Sequence, residues 1–378
     1  MRIFQAIHAS TNSRISASKT WYRNLYEPLI DLGHDVLLYP TDVGLKARKS
    51  KNPRLKIRFG RDLFDTLKKE HKKRPFNLFF SYFIDGMIDS AIIENIRKLG
   101  IPTCNFSCNN VHQFHILENI SPYFDYSLHS EKTVADKFKN IGANPVWWPM
   151  ASNPRYYKPF DFTRSFDVTF IGANYAPRAY YIKYLLENGI NVHAFGPGWI
   201  RGDKNKWRSI IKRYGYLLLS ATSISKKHQN RASAKLAYHD LCRDIFHRFK
   251  DNLHQPVTDE KLIRLYSQSW INLGFLSVYD RHDPSLLKKR HLHLRDFEVP
   301  MSGALYITEY MDEIEEHFIP GKEIITYKNE YELLDKLRFY LEHQEAAEKV
   351  RLAGYERAIS CHTYHIRYKT LFSDLGFE

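Results

Sequence analysis

Cysteine is scarce in this chain: Cys104, Cys108, Cys242 and Cys361 are the four among 378 residues. Four are too few for a disulfide framework, and Cys104 and Cys108 lack the spaced Cys/His partners of a zinc site. Reduced thiols in a cytoplasmic protein are what that usage implies. No apolar run approaches the ~18–20 residues that cross a bilayer. The opening MRIFQAIHAS carries no signal-peptide apolar region. Several catalytic signatures are missing as well. The chain has no G-x-x-x-x-G-K-[ST], no G-x-G-x-x-G after its first strand-like run, no G-x-S-x-G and no H-E-x-x-H. A P-loop enzyme, a dinucleotide site in its usual place, an α/β-hydrolase nucleophile and a zincin are excluded with them.

What is present is globular. Hydrophobic residues make up 43% and charged residues 26%, which excludes a disordered chain, a collagen-like repeat and a coiled coil. With 25 Tyr and 24 Phe there is material for two cores, and the length fits two domains. The formal net charge of +14 is concentrated. Residues 46–75 hold 13 basic and 3 acidic side chains, and residues 201–250 hold the same balance. The rest of the chain is mildly acidic. Two cationic stretches on such a background point to an anionic partner: an acceptor, the headgroups of a membrane inner face, or nucleic acid.

The pattern along the chain is strand, helix, strand. Arg2–Ala9 reads as a strand, Ser18–Leu32 as a helix closed by Gly33, and Asp35–Tyr39 as a strand. Asn77–Tyr82, Met87–Leu99, Ile101–Phe106, Asp125–Leu128, Glu131–Ile141 and Val146–Trp148 continue the alternation. Residues 149–165 hold three prolines and no apolar period, so they read as a linker. Asp167–Ile171, the loop Gly172–Arg178, Tyr180–Asn188 and Val192–Phe195 begin a second unit. Trp270–Phe275, Phe297–Gly303, Ala304–Thr308, Tyr331–His343 and Ala346–Ile359 continue it, interrupted by a basic helical insertion at about 201–252. The expected organisation is α/β: a Rossmann-like domain over 1–155, a second over 156–360, and a tail at 361–378 that crosses back to the first. Two doubly wound domains of this kind face a central cleft at the carboxyl ends of their sheets.

The most informative segment is HLHLRDFEVPMSGALYITE at His291–Glu309. It sets Arg295 and Glu298 three residues apart at the start of a helix, where a carboxylate can accept both hydroxyls of a ribose. Arg295 there is a fixed cation for a diphosphate, and helix N–H groups lie nearby. Spacing alone fits an ordinary i,i+3 ion pair at least as well. No D-x-D occurs, the motif by which many sugar transferases hold a metal and a nucleoside diphosphate.

R-x-F-E-x-P-x-x-G-x-L-x-x-T-E at Arg295–Glu309 resembles the signature of the spore-maturation-like (CgeB-type) glycosyltransferases, relatives of the group 1 family. F-I-P-G-K-E-I at Phe318–Ile324, H-T-Y-x-x-R at His362–Arg367, P-M-A-S-N at Pro149–Asn153 and F-I-G-A-N at Phe170–Asn174 support it in order and spacing. The resemblance covers 120–378 well and the first 120 residues only in architecture. It implies the GT-B fold, a nucleoside diphosphate sugar as donor (a UDP-sugar first), no obligatory metal or other cofactor, and hexosyl transfer. By position, Glu298 matches the ribose-binding glutamate. Gly172, Ala173 and Asn174 match the loop that approaches the diphosphate, which Arg178 closes, and Gly303 matches a close-packing glycine. Group 1 enzymes that retain configuration often carry a second glutamate eight residues before the first. Here that position is Arg290, which leaves the stereochemistry open.

Lys289, Arg290 and Arg295 are candidates to neutralise the leaving diphosphate. Gly198 and Trp199, in the turn that begins at Gly196, are candidates for the nucleobase pocket. An inverting enzyme needs a base from the first domain, with His8, Asp85, His112 and His115 available after strands. The acceptor is expected to meet residues 46–75. Two other functions fit the same architecture: a nucleotide-sugar epimerase, and a non-catalytic nucleotide-sugar-binding coat or scaffold protein.

Overall fold

Short apolar runs, each followed by a helix-forming segment, build one parallel sheet in each of two units. The computed structural model describes residues 1–9, 17–200, 206–223, 225–279 and 287–377. Residues 201–205 of the expected insertion lie outside these. One unit comprises Met1–Asn153 with Cys361–Glu378, the other Pro154–Ser360.

The first sheet contains β1 (Arg2–Ile7), β2 (Asp35–Pro40), β3 (Leu78–Ser81), β4 (Thr103–Ser107), β5 (Tyr126–His129) and β6 (Pro145–Trp147). Their order is β2-β1-β3-β4-β5-β6, parallel throughout. β1 and β3 are neighbours although β2 lies between them in sequence, so the order reverses there. A crevice opens beyond the carboxyl ends at such a point. The stretch expected as one helix over Ser18–Leu32 is three pieces: Ala17–Trp21, a π-turn at Tyr22–Tyr26, and Glu27–Asp31. The carbonyl of Leu25 in the π-turn accepts from Gln5 Nε2 (2.9 Å) and from the Tyr368 hydroxyl (2.8 Å). Tyr368 belongs to a helix, Tyr364–Asp374, where the sequence suggested only a tail. Thr363 caps it through Ile366 N, Trp148 Nε1 donates to Arg367 O (3.0 Å), and Arg367 Nε donates to Pro149 O (3.1 Å).

The second sheet is made of β7 (Phe166–Ile171), β8 (Val192–Phe195), β9 (Leu253–His254), β10 (Ser269–Leu273), β13 (Leu305–Glu309) and β14 (Ile325–Tyr327), in the order β14-β13-β10-β7-β8-β9. These strands are also parallel. The order reverses between β7 and β10. A two-stranded antiparallel ribbon, β11 (Ser277–Tyr279) with β12 (Leu287–Arg290), follows β10. The insertion is two helices, Lys206–Thr222 and Lys226–Arg248, between β8 and β9. The core holds Val168, Phe170, Leu185, Trp199, Ile271, Phe275, Ile307, Tyr327 and Leu333.

Gly274, directly after β10, sits against β13. A Cβ there would overlap the Tyr306 hydroxyl and Thr308 Oγ1, and its carbonyl accepts from the Tyr327 hydroxyl at 2.9 Å. Gly274→Ala should therefore destabilise this unit by about 2–3 kcal/mol through overpacking. Thermal unfolding checks this, with an unchanged melting temperature telling against the close approach of β10 and β13.

Candidate functional site

The reversal between β7 and β10 places three segments together. β7 runs into Gly172-Ala173-Asn174, β8 runs into Gly196-Pro197-Gly198, and the helix Arg295–Met301 follows β12. The first two loops are zipped. Gly172 N donates to Phe195 O (2.8 Å), Asn174 N to Pro197 O (2.8 Å), and Asn174 Nδ2 to Gly198 O (3.2 Å). Gly196 has φ +147°, and a Cβ there would overlap the Gly172 carbonyl, so only glycine lets the loops approach. Trp199 Nε1 donates to Gly172 O at 2.8 Å. Its ring is a core ring, 1% exposed, and offers no face to a base.

Two guanidiniums close on Gly172. A Cβ there would lie 2.8 Å from Arg295 Nη2, 3.2 Å from Arg178 Nη1 and 2.7 Å from Phe170 Cζ, so no side chain fits. Arg295 donates to Ile171 O and Arg178 to Ala173 O (3.0 Å). Neither forms an ion pair among the described residues, and the Nε of each reaches no partner. Both lie over the Phe170 ring, at 5.1 and 5.2 Å, and Arg178 also stacks on Tyr175 at 3.8 Å. Burial pushes Arg178 down to about 10, which still leaves it charged at neutral pH. Burial opposes the charge on both, and on Arg295 the neighbouring Tyr266, Tyr306 and Asp296 outweigh it, raising that guanidinium above its ordinary value; an anion at the loop would further stabilise the pair.

Glu298 lies one turn along the same helix but does not pair with Arg295. It accepts from the Tyr266 hydroxyl at 3.4 Å and from Tyr157, and it is 7% exposed. Burial pushes its carboxyl up to about 7 against the opposing effects of Tyr157, Arg295 and Tyr266. Asp296, buried beside it, accepts from His293 N and the Tyr306 hydroxyl, and burial raises it to about 6. The expected contribution of helix N–H groups is not realised. Asp296 N is bonded to His293 O, and Phe297 N and Glu298 N are both bonded to Leu294 O. Gly303 lies at the far end of the helix with φ +64°, packed on Pro159, its carbonyl accepting from Arg351 at 2.7 Å. Arg290 is exposed at the end of β12. Glu309, the last residue of the signature, holds the start of the ribbon, accepting from Leu276 N (2.5 Å), Ser277 N (2.6 Å) and Ser277 Oγ (2.7 Å).

One participant was not visible in the sequence. Tyr238, on the inserted helix Lys226–Arg248, donates to Asn174 Oδ1 at 2.8 Å, and Cys242 Sγ lies 3.6 Å from Asn174 Nδ2. The insertion thus braces the glycine loop.

In the other unit His8 follows β1 at the order reversal. It is 7% exposed, bonded through Nδ1 to Thr41 Oγ1 (2.5 Å), with its ring 5.0 Å from that of Tyr82. Burial holds it down to about 4, with Asp42 pulling upward and Lys49 downward, so its imidazole is neutral at physiological pH. Asp85 anchors a turn. Its Oδ2 accepts from Asn119 N (3.2 Å) and Nδ2 (2.8 Å), and its carbonyl accepts from Arg48 Nε (2.9 Å). No hydrogen bond links His8 to Asp85, and they share no hydrogen-bond partner among the described residues.

The glycosyl transferase-like family model matches residues 182–373, just over half of the chain, and the chain belongs to that family. No curated protein matches it. Its fold is similar to that of sucrose-phosphate synthase from Thermosynechococcus elongatus, with TM-score 0.60 and 11% identity over 99% of each chain. It is similar to a glycosyltransferase from Rickettsia africae, with TM-score 0.59 and 12% identity over 98% of this chain and 96% of that one. It is also similar to Anabaena HepE in complex with UDP and glucose, with TM-score 0.57 and 9% identity over 100% of each. The fold is GT-B, with two parallel-sheet Rossmann-like domains.

The Glu298 carboxyl gives a stability signature. Its folded value of about 7 lies above its ordinary 4.5, so the folded state holds the proton more tightly than the unfolded one. That contribution is intact below about pH 4.5 and is lost as pH rises through about 7, up to about 3 kcal/mol. Glu298→Gln should remove this loss. Denaturant unfolding at about pH 5 and pH 8 should show the variant gaining stability relative to the parent at the higher pH. A constant difference would mean that the carboxyl is not buried as described.

Proposed function

We propose that this chain is a glycosyltransferase of the spore-maturation-like branch, transferring a hexosyl group from a nucleoside diphosphate donor without a metal. The observation that carries this reading is the pair of guanidiniums, Arg178 and Arg295, converging on Gly172 with no ion pair to a carboxylate among the described residues. Such a pair suits a diphosphate and supplies the charge a divalent ion would otherwise bring. Gly172, Ala173 and Asn174 would face the diphosphate. Arg290 would join Arg295 in stabilising the leaving group, and Glu298 would accept from the ribose hydroxyls. Gly198, Trp199 and Gly303 would serve by holding the loops and the helix in place. A UDP-sugar is the favoured donor, supported by the binding of UDP and glucose by the similarly folded HepE.

His8 and Asp85 are the candidate bases. A neutral imidazole can accept a proton, which supports His8. The acceptor would meet residues 46–75, where Arg54, Arg58, Arg61, Lys68, Lys69 and Lys72 are exposed along the helix Pro53–Lys73. An anionic acceptor, nucleic acid included, suits that surface. A cytoplasmic location, peripheral on the inner face of a membrane, is the setting proposed for it. Membership of a glycosyl transferase-like family favours transfer over the epimerase and the non-catalytic scaffold.

Calorimetric titration with UDP and with uridine tests the donor site. Arg295→Gln should weaken UDP by about 1.5–3 kcal/mol, the worth of a charged hydrogen bond, and leave uridine nearly unchanged. Glu298→Gln should weaken both ligands by about 1–3 kcal/mol. In the parent, uridine affinity should rise with pH through about 7 as Glu298 ionises. Absence of UDP binding, or equal loss of both ligands in Arg295→Gln, would sink the assignment. Transfer or donor hydrolysis should survive excess EDTA. Complete loss with rescue by Mn²⁺ would end the metal-free reading.

A further inference from the structure

The inserted helices Lys206–Thr222 and Lys226–Arg248 have a fixed inner side. Arg213 pairs with Asp240 at 2.8 Å, Ile245 and Leu241 join the core, and Tyr238 holds Asn174. The outer side is uncovered. Ile211, Tyr214 and Leu218 fall at i, i+3 and i+7 on one helix face and are 67%, 60% and 62% exposed, with Leu219 beside them at 55%. Along the two helices the charge has one sign through residues 206–239, which contain eight Lys or Arg and no Asp or Glu. Lys212, Lys226 and Lys227 are exposed and Arg231 is half-buried. None of these four forms an ion pair among the described residues.

The two properties together narrow the occupant. An apolar ridge alone would suit another protein, and cations alone would suit any polyanion. A surface offering hydrocarbon and negative charge side by side is a bilayer with anionic headgroups. Among the described residues no helix is long and apolar enough to cross a membrane, so the contact is interfacial.

We propose that this hairpin docks the protein on an anionic lipid surface. Ile211, Tyr214 and Leu218 enter the boundary between headgroups and acyl chains, while Lys212, Lys226, Lys227 and Arg231 meet the headgroups. Docking requires no sugar transfer, so it stands or falls separately from the transferase reading.

The experiment is co-sedimentation of the full chain with vesicles of phosphatidylcholine alone or with about 30% phosphatidylglycerol, at low salt and at about 0.5 M. The parent should bind the anionic vesicles only, and less at high salt. Each cation is worth about fivefold, or about 1 kcal/mol, so the triple variant K226Q/K227Q/R231Q should bind about 100-fold more weakly. The variant I211S/L218S, with its cations intact, should also lose most binding. Both should keep the parent's melting temperature and UDP affinity. Three results would overturn the proposal: equal binding to neutral vesicles, full binding by I211S/L218S, or no vesicle binding alongside a shift of single-stranded DNA at about 150 mM salt. Vesicle binding without UDP binding would leave docking intact and remove the donor reading instead.

Discussion

Two like charges held side by side in a protein interior are a liability, and the Pro154–Ser360 unit is arranged around one such pair. Arg178 and Arg295 are kept together by the carbonyls of Ala173 and Ile171 and by the face of Phe170. Phe170 is itself fixed edge-on by Phe275 at 4.9 Å and Trp199 at 6.1 Å. These contacts orient the guanidiniums with no ion pair among the described residues, while the nearby Asp296 carboxyl favours the charge on Arg295. Binding of an anion at the loop would offset the desolvation and mutual repulsion of the pair.

The position of the pair follows from topology. Arg178 opens the helix after β7, and Arg295 opens the helix after β12. The two meet because β7 and β10 are neighbours where the strand order reverses. Close approach then demands glycine at three points. Gly172 leaves room for the guanidiniums, Gly196 lets the β8 loop reach the β7 loop, and Gly274 clears the Tyr306 hydroxyl. Asn174 ties these loops to the insertion through Tyr238. A segment that looks peripheral in sequence thus contributes to the rigidity of the site.

Much of the fold was legible because strands and helices alternate with clear apolar periods. Arg2–Ile7, Val192–Phe195 and Leu305–Glu309 are close to the expected runs. The helix Tyr364–Asp374 has its own signal, with Thr363 as cap and Tyr364, Tyr368, Leu371 and Phe372 on one face, but so short a segment at the end of the sequence reads as a tail. β9 has two residues and β14 three, too short for any period to show. In the site, Arg295, Glu298 and the Gly172 loop were legible as a motif. Their partners were not, because Tyr157, Tyr266 and Tyr238 are brought in from distant segments by packing, and nothing local marks them. Spacing is also a poor guide to Arg295 and Glu298. An i,i+3 arrangement permits an ion pair, but here each side chain finds a separate neighbour.

That separation has a chemical consequence. Had Glu298 paired with Arg295, the carboxylate would be ionised and satisfied, and Arg295 would be neutralised before any ligand arrived. Instead Tyr157 and Tyr266 surround Glu298 with apolar rings and hydroxyl donors, and burial lifts it to about 7. Arg295 turns instead to the loop, donating to the Ile171 carbonyl. The same helix therefore presents a cation at one turn and a carboxyl poised near neutrality at the next. A ligand carrying phosphates at one end and hydroxyls at the other matches that order of charge along the helix.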